Sequence, residues 1–198
     1  MPCIFMGAGG IAGPAIANIS LTESMMTLFS RISAAAATAI AAATITASAF
    51  AEALPRPEGQ TLLSISGQID NTNAEGAAHF DLAMIDALPL RETVTTTPWY
   101  EGPQRFSGPL LSDLMAAIGA SGSALRIIAV NDYAASMPWT DIESVPVILA
   151  VRHNGETMSV RDKGPLFVIY PFDEYPELHD EVYFSRSVWQ VAAIEVLP

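Results

Sequence analysis

Charge is missing from one end of this chain, and that limits how much of it can belong to a folded domain. Residues 1–51 hold 15 alanines and only two charged side chains, Glu23 and Arg31. Within them, Ile32–Ser48 is an uncharged run of mostly Ala, Ile and Thr, with Arg31 before it and Ala49-Phe50-Ala51 after it. A positive start, an apolar centre and an A-x-A end make the pattern of a secretory signal, with cleavage expected after Ala51. An uncleaved anchor over Ile32–Ala51 is the alternative, since that run is long enough to span a bilayer. The weak apolarity of alanine and the placed A-x-A favour cleavage, so no membrane insertion is expected afterwards.

Residues 1–24 are too long and too neutral for the charged start of a signal. Translation is expected to begin at Met25 or Met26, with 1–24 a misassigned extension and 25–51 the signal. Gly7-Ala8-Gly9-Gly10-Ile11-Ala12 matches the dinucleotide fingerprint G-x-G-x-x-G/A. That fingerprint needs a βαβ unit and an acid further on. Here Pro14 and the export run follow instead.

What remains is a short linker, 52–60, and one domain over 61–198. The leader removes one acid and one base, so the net charge of −12 belongs wholly to the remainder. Such a balance argues against nucleic acid, which needs clustered Lys and Arg. The single cysteine, Cys3, goes with the leader. The domain therefore has no disulfide and no cysteine-based zinc site.

Periodicity gives a coarse order of elements. Thr61–Ile69 reads as a strand with Leu63 and Ile65 on one face. Phe80–Leu88 reads as a short helix capped by Asp81 and stopped by Pro89. Glu92–Thr97 is β-branched and reads as a strand, followed by a loop over Pro98–Pro103 carrying Trp99 and Tyr100. A helix beginning at Pro109 has Leu110, Leu111, Leu114, Met115 and Ile118 as its apolar stripe and Gly119 at its end. Leu125–Val130 reads as a buried strand. Val147–Arg152 and Thr157–Arg161 flank Asn154-Gly155, a strong hairpin signal. Leu166–Tyr170 and Ser187–Val196 complete about seven strands and two real helices, a mixed α+β domain with mainly antiparallel pairing.

Several ordered segments carry a resemblance. They are Leu63–Ile69; Phe80–Met84 with Leu88-Pro89; Phe106-Ser107-Gly108-Pro109-Leu110-Leu111-Ser112-Asp113-Leu114; Lys163-Gly164-Pro165-Leu166 through Pro171; and the closing Ser187–Val196. Together they span nearly all of Thr61–Leu197. In this order they resemble the sulfite-oxidase-type oxidoreductase molybdopterin-binding domain, in its small exported single-domain form. The resemblance implies that α+β fold, a molybdopterin cofactor and oxidoreductase chemistry.

The chain departs from the family's pattern in three places. The family's molybdenum-ligating cysteine lies on the strand before the aromatic-x-Gly motif, and the matching position is Thr96. A threonine hydroxyl is a harder ligand than a thiolate, and with its far higher pKa it stays protonated. The family's lysine in the last strand is missing from Ser187-Val188-Trp189-Gln190, where Arg186 is the nearby cation. Members that carry the cofactor leave the cytoplasm folded, behind a twin-arginine signal, whereas Ser30-Arg31-Ile32 has one arginine.

The candidate cofactor pocket consists of Thr96, Trp99, Asn131, Tyr133, Arg161, Lys163 and Gly164. Thr95–Thr97 reads more readily as plain β-branched strand than as pocket wall, and Asn131-Asp132-Tyr133 equally as a turn. Arg161, Lys163 and the Gly164 backbone form the densest cationic spot, suited to a carboxylate or phosphate. Trp139 is a further candidate for the Trp99 pocket. Asp173, Glu174, Glu177, Asp180 and Glu181, with His179 among them, lack the spacing of a metal loop and read as a solvated acidic loop. No metal site is expected. With no G-x-S-x-G and no H-E-x-x-H, hydrolase chemistry has no support.

Two readings follow. The chain is a periplasmic binding module that keeps the oxidoreductase fold without the metal-ligating cysteine, meeting a small anionic ligand or a membrane sensor or redox partner. The alternative is an active molybdopterin-dependent oxidoreductase that holds its cofactor without a thiolate.

Overall fold

The computed structural model describes residues 54–198. The signal and the extension before it lie outside the described residues. Among these, no helix is long and apolar enough to cross a membrane.

The strands are β1 (Leu63–Gly67), β2 (Ala77–Phe80), β3 (Leu90–Thr97), β4 (Tyr100–Pro109), β5 (Ala124–Ala129), β6 (Ala134–Pro138), β7 (Ile148–Ala150), β8 (Arg152–His153), β9 (Glu156–Thr157), β10 (Phe167–Ile169) and β11 (Val191–Leu197). The helices are short: α1 (Leu82–Asp86), α2 (Leu111–Ala117), α3 (Trp139–Ser144) and α4 (Glu181–Arg186). Three sheets result, in the orders β2-β1-β11-β5-β6, β3-β4-β8-β9 and β10-β7. Every strand pair is antiparallel except β1 with β11. The domain is α+β and mainly antiparallel, as the sequence predicts.

Two apolar clusters hold these layers. In the larger sheet Ile194 of β11 lies between Ile65 and Ile127, and all three are buried. The α2 stripe of Leu111, Leu114 and Met115 packs into the same cluster with Ile85 of α1. A smaller cluster of Phe106, Ile148, Ala150, Met158, Phe167 and Ile169 joins β4, β7 and β10, with Trp99 and Tyr100 against it.

The caps follow sequence chemistry. The Asp81 carboxylate accepts from the Met84 N–H at 2.9 Å, and from the backbone N–H groups of Glu58 and Gly59. Gly119, with φ +61°, ends the turn after α2. Asn154 and Gly155 have φ of +52° and +88°, as a type I′ hairpin turn between β8 and β9 requires.

Elsewhere the observed elements differ from the expectations. There are eleven strands and four short helices among the described residues. Instead of a loop, Pro98-Trp99 is a tight turn and β4 begins at Tyr100. The ladder shifts between Thr95 and Thr97, so the three residues Glu101-Gly102-Pro103 bulge out opposite Thr96. A bulge can hold a proline without loss of a ladder bond. The segment expected as one strand over Val147–Arg152 is divided between two sheets, because β7 pairs with β10 and β8 with β4. Val160–Asp162 is a 3-10 turn rather than strand. The last strand starts at Val191, after a left-handed Gln190 at φ +53°.

Gly108 lies where β4 crosses β7. A Cβ built there would be 1.9 Å from the Leu149 carbonyl oxygen. Gly108→Ala is expected to lower stability by about 1–3 kcal/mol, read as a lower denaturant midpoint with an unchanged slope.

Candidate functional site

The tight Pro98-Trp99 turn brings Trp99 against three other aromatic rings. Its centroid lies 5.4 Å from Phe167, 5.7 Å from Trp189 and 6.1 Å from Phe184, the last two at 73° and 78°. Rings so held edge to face form the walls of a corner rather than a flat stack. Phe167 comes from β10, Phe184 from α4, and Trp189 from the segment that bridges to Phe167 just before β11.

The opposite wall is the β5–β6 turn. Asn131 Oδ1 accepts from the Tyr133 N–H at 3.2 Å, and Asp132 between them has φ +65°. The Tyr133 hydroxyl donates to the Ser185 carbonyl at 3.0 Å and so ties this turn to α4. Between the two walls lies a cleft of about 340 Å³ whose lining includes Trp99, Asn131, Tyr133, Glu181, Phe184 and Trp189. That volume is near the lower end of ligand sites, roughly 300 Å³.

Behind the cleft, α4 is anchored by a buried polar group. Asp141 of α3 accepts from the Tyr170 hydroxyl at 2.6 Å and from Arg186 at 2.9 Å. Burial and the Asp141 carboxylate push the Tyr170 phenol far above its ordinary pKa. Arg186 also lies over the Tyr183 ring.

Of the residues singled out in the sequence, Trp99, Asn131 and Tyr133 come together in this cleft. Thr96 does not line it. Its hydroxyl donates to Asp173 Oδ1 at 2.5 Å, and its N–H donates to Asp173 Oδ2 at 2.9 Å. Strand alternation buries Thr93, Thr95 and Thr97 on the other face. The hydroxyls of Thr93 and Thr97 are buried without a partner among the described residues, and neither residue lines the cleft.

Arg161, Lys163 and Gly164 lie outside the cleft lining as well. The Lys163 ammonium is 4.3 Å from the Tyr100 ring centroid. Gly164 serves packing, because a Cβ there would be 2.1 Å from the Met158 carbonyl oxygen. Gln190 ties this turn to the cleft's edge by bonding the carbonyls of Lys163 and Val160. Trp139 is on a separate hollow with Ser112 and Met115. His153 stacks on Phe106 at 4.9 Å and bonds Gln104. Burial, then Lys163, lowers its pKa. Among the described residues no group of three or more His, Cys, Asp or Glu is placed to hold a metal.

Sequence reasoning missed Glu181, Phe184 and Trp189 as cleft residues. The acidic run hides a helix start: Asp180 caps α4 by accepting from the Val182 N–H at 2.8 Å. A cap residue followed by Val182-Tyr183-Phe184 was the available signal.

No protein-family model and no curated protein matches the chain. Among solved structures, the sulfane dehydrogenase SoxCD from Paracoccus pantotrophus is similar, at 18% identity and a TM-score of 0.52 over 73% of this chain. The likeness is one of fold. The match takes in 40% of that chain, so this chain spans less than half of its length.

The Thr96–Asp173 contact has a pH signature. Burial raises the pKa of Asp173, but the Thr96 hydroxyl and N–H and the nearby His179 outweigh it, and the net direction is down. A carboxylate lowered on folding stabilises the native state above its unfolded pKa and stops doing so as pH falls through the native one. The Asp173 latch should therefore hold down to about pH 4 and release below it. Hydrogen exchange of the Thr96 amide reports this directly; release near neutral pH would contradict the assignment.

Proposed function

We propose that the chain is an exported ligand-binding module that keeps the molybdopterin-binding-domain fold without its molybdenum chemistry, and that the Trp99 cleft is its ligand site. The fold likeness to sulfane dehydrogenase supports a distant relationship to that fold. The chemistry of the donor set supports the rest. The residue that the resemblance matches to the metal-ligating position is Thr96, and a carboxylate, Asp173, holds both its hydroxyl and its N–H. This observation carries the loss of molybdenum chemistry, because Thr96, outside the cleft, offers a hard neutral oxygen beside a negative charge where the cofactor needs a soft thiolate.

The charges argue the same way. A pterin phosphate needs converging cations. Among the described residues Glu181 is the one charged side chain in the cleft lining, and Arg186, the nearest cation in sequence, is paired with Asp141. The residues present do not fit the cofactor, so the cleft's work is recognition of a small ligand, alone or for a membrane partner.

Thr96→Cys tests this with the missing atom restored. The variant, expressed behind a twin-arginine leader in a host that makes the cofactor, is expected to gain no molybdenum. Asp173 raises the pKa of a thiol placed beside it, and among the described residues no Lys or Arg lines the cleft to meet a phosphate. Stoichiometric uptake would show that a cofactor pocket is intact and overturn the reading that the residues present do not fit the cofactor.

A further inference from the structure

The cleft's own chemistry narrows its ligand, on the reading that the cleft is a ligand site. We infer that it recognises an organic cation, a quaternary or protonated amine of small size, and not an anion. Four aromatic side chains, Trp99, Tyr133, Phe184 and Trp189, line it with one carboxylate, Glu181. Trp99 meets Phe184 and Trp189 at near right angles, so the ring planes in the lining are turned in different directions. The π face of such a ring carries partial negative charge and attracts a cation within about 6 Å of the ring centroid.

The hydroxyl groups of the lining point to the same class. The Tyr133 hydroxyl donates to the Ser185 carbonyl, Ser185 Oγ to the Val182 carbonyl and Ser187 Oγ to the Tyr183 carbonyl. Each proton is thus committed to the backbone, and these oxygens have acceptor capacity left, not donor capacity. Asn131 retains its amide donors, and among the described residues the lining contains no Lys or Arg. An anion entering would find π faces and acceptors; a cation would find its complement. Glu181 is exposed and in no ion pair among the described residues. Glu181 closes a run of acids that begins at Asp173 and leads into α4.

Tryptophan emission tests the inference, since Trp99 and Trp189 line the cleft while Trp139 lies elsewhere. The protein is titrated at constant ionic strength with choline chloride, with its neutral isostere 3,3-dimethylbutan-1-ol, and with sodium sulfate. Choline is expected to give a saturable change, and the isostere to bind about tenfold more weakly. Glu181→Gln should weaken choline by roughly three- to fivefold, in keeping with an exposed carboxylate, and leave the isostere unchanged. Trp189→Ala should weaken choline about tenfold, with circular dichroism confirming that both variants are folded. Equal affinity for the neutral alcohol, or saturable binding of sulfate, would overturn the cation assignment while the cleft stands as a ligand site. Absence of a saturable response to any of the three would overturn the cation assignment too, and the metal content of the protein would then decide the wider reading.

Discussion

Asp141→Ala is expected to lower the stability of this domain by about 3 kcal/mol, because it leaves a charge and a hydroxyl without their acceptor. Asp141 is 9% exposed and accepts from both Tyr170 and Arg186. Removing one partner of a largely buried ionic group is worse than replacing the whole group by apolar side chains, since the remaining guanidinium stays desolvated. Arg186 ends α4, and α4 supplies Glu181 and Phe184 to the cleft. Loss of Asp141 should therefore loosen the cleft as well as the fold. Asp141→Asn keeps an acceptor for one donor and should fall between the alanine variant and the native protein. Denaturant unfolding gives the stability; an alanine variant within about 0.5 kcal/mol of the native protein, an effect typical of a neutral surface site, would show that the group anchors nothing.

Phe167→Ala should be the other severe change, at about 3–5 kcal/mol for a fully buried phenylalanine. Phe167 on β10 touches Trp99 at 5.4 Å, Phe106 at 6.0 Å and Trp189 at 6.2 Å. It is the ring on which both cleft tryptophans rest. The cavity left behind should let Trp99 and Trp189 turn toward water, with a red shift of emission in the still-folded protein. Trp189→Ala, at a ring 38% exposed, should be far milder in stability while still changing the cleft. If Phe167→Ala unfolds the protein, the milder Phe167→Leu still reports whether the tryptophan environment depends on this ring.

The difference between what could be read in the sequence and what could not has a physical pattern. Local chemistry was legible. The Asp81 cap, the α2 stripe closed by Gly119 and the Asn154-Gly155 turn are each decided by a few adjacent residues. Long-range pairing was not. Tyr100–Pro109 holds two prolines and two glycines, and its start reads as part of a loop over Pro98–Pro103, yet it is the longest strand among the described residues because β3 and β8 pair with its two sides. Ala134–Pro138 is poor in β-formers and is held as β6 by its neighbour β5.

The site was legible in the same measure. Asn131 and Tyr133 were marked by their place after a buried strand, and Trp99 by the resemblance. Thr96 was marked by position along the chain, and only the strand's alternation shows that it faces Asp173 instead of the cleft. Arg161 and Lys163 lie close in sequence with Gly164, but after the Val160–Asp162 turn Lys163 sits over Tyr100, and neither cation lines the Trp99 cleft. Nothing local foretold that the acidic run ends in α4 and lends Glu181 to an aromatic corner.

The claim that this fold serves recognition without molybdenum chemistry is tested most directly by the metal content of the native protein. The full chain is expressed in a host that makes molybdenum cofactor, purified from the periplasm, and measured by elemental analysis and by the fluorescence of oxidised pterin released on denaturation. The account predicts neither molybdenum nor pterin above background. One molybdenum per chain with released pterin would contradict it.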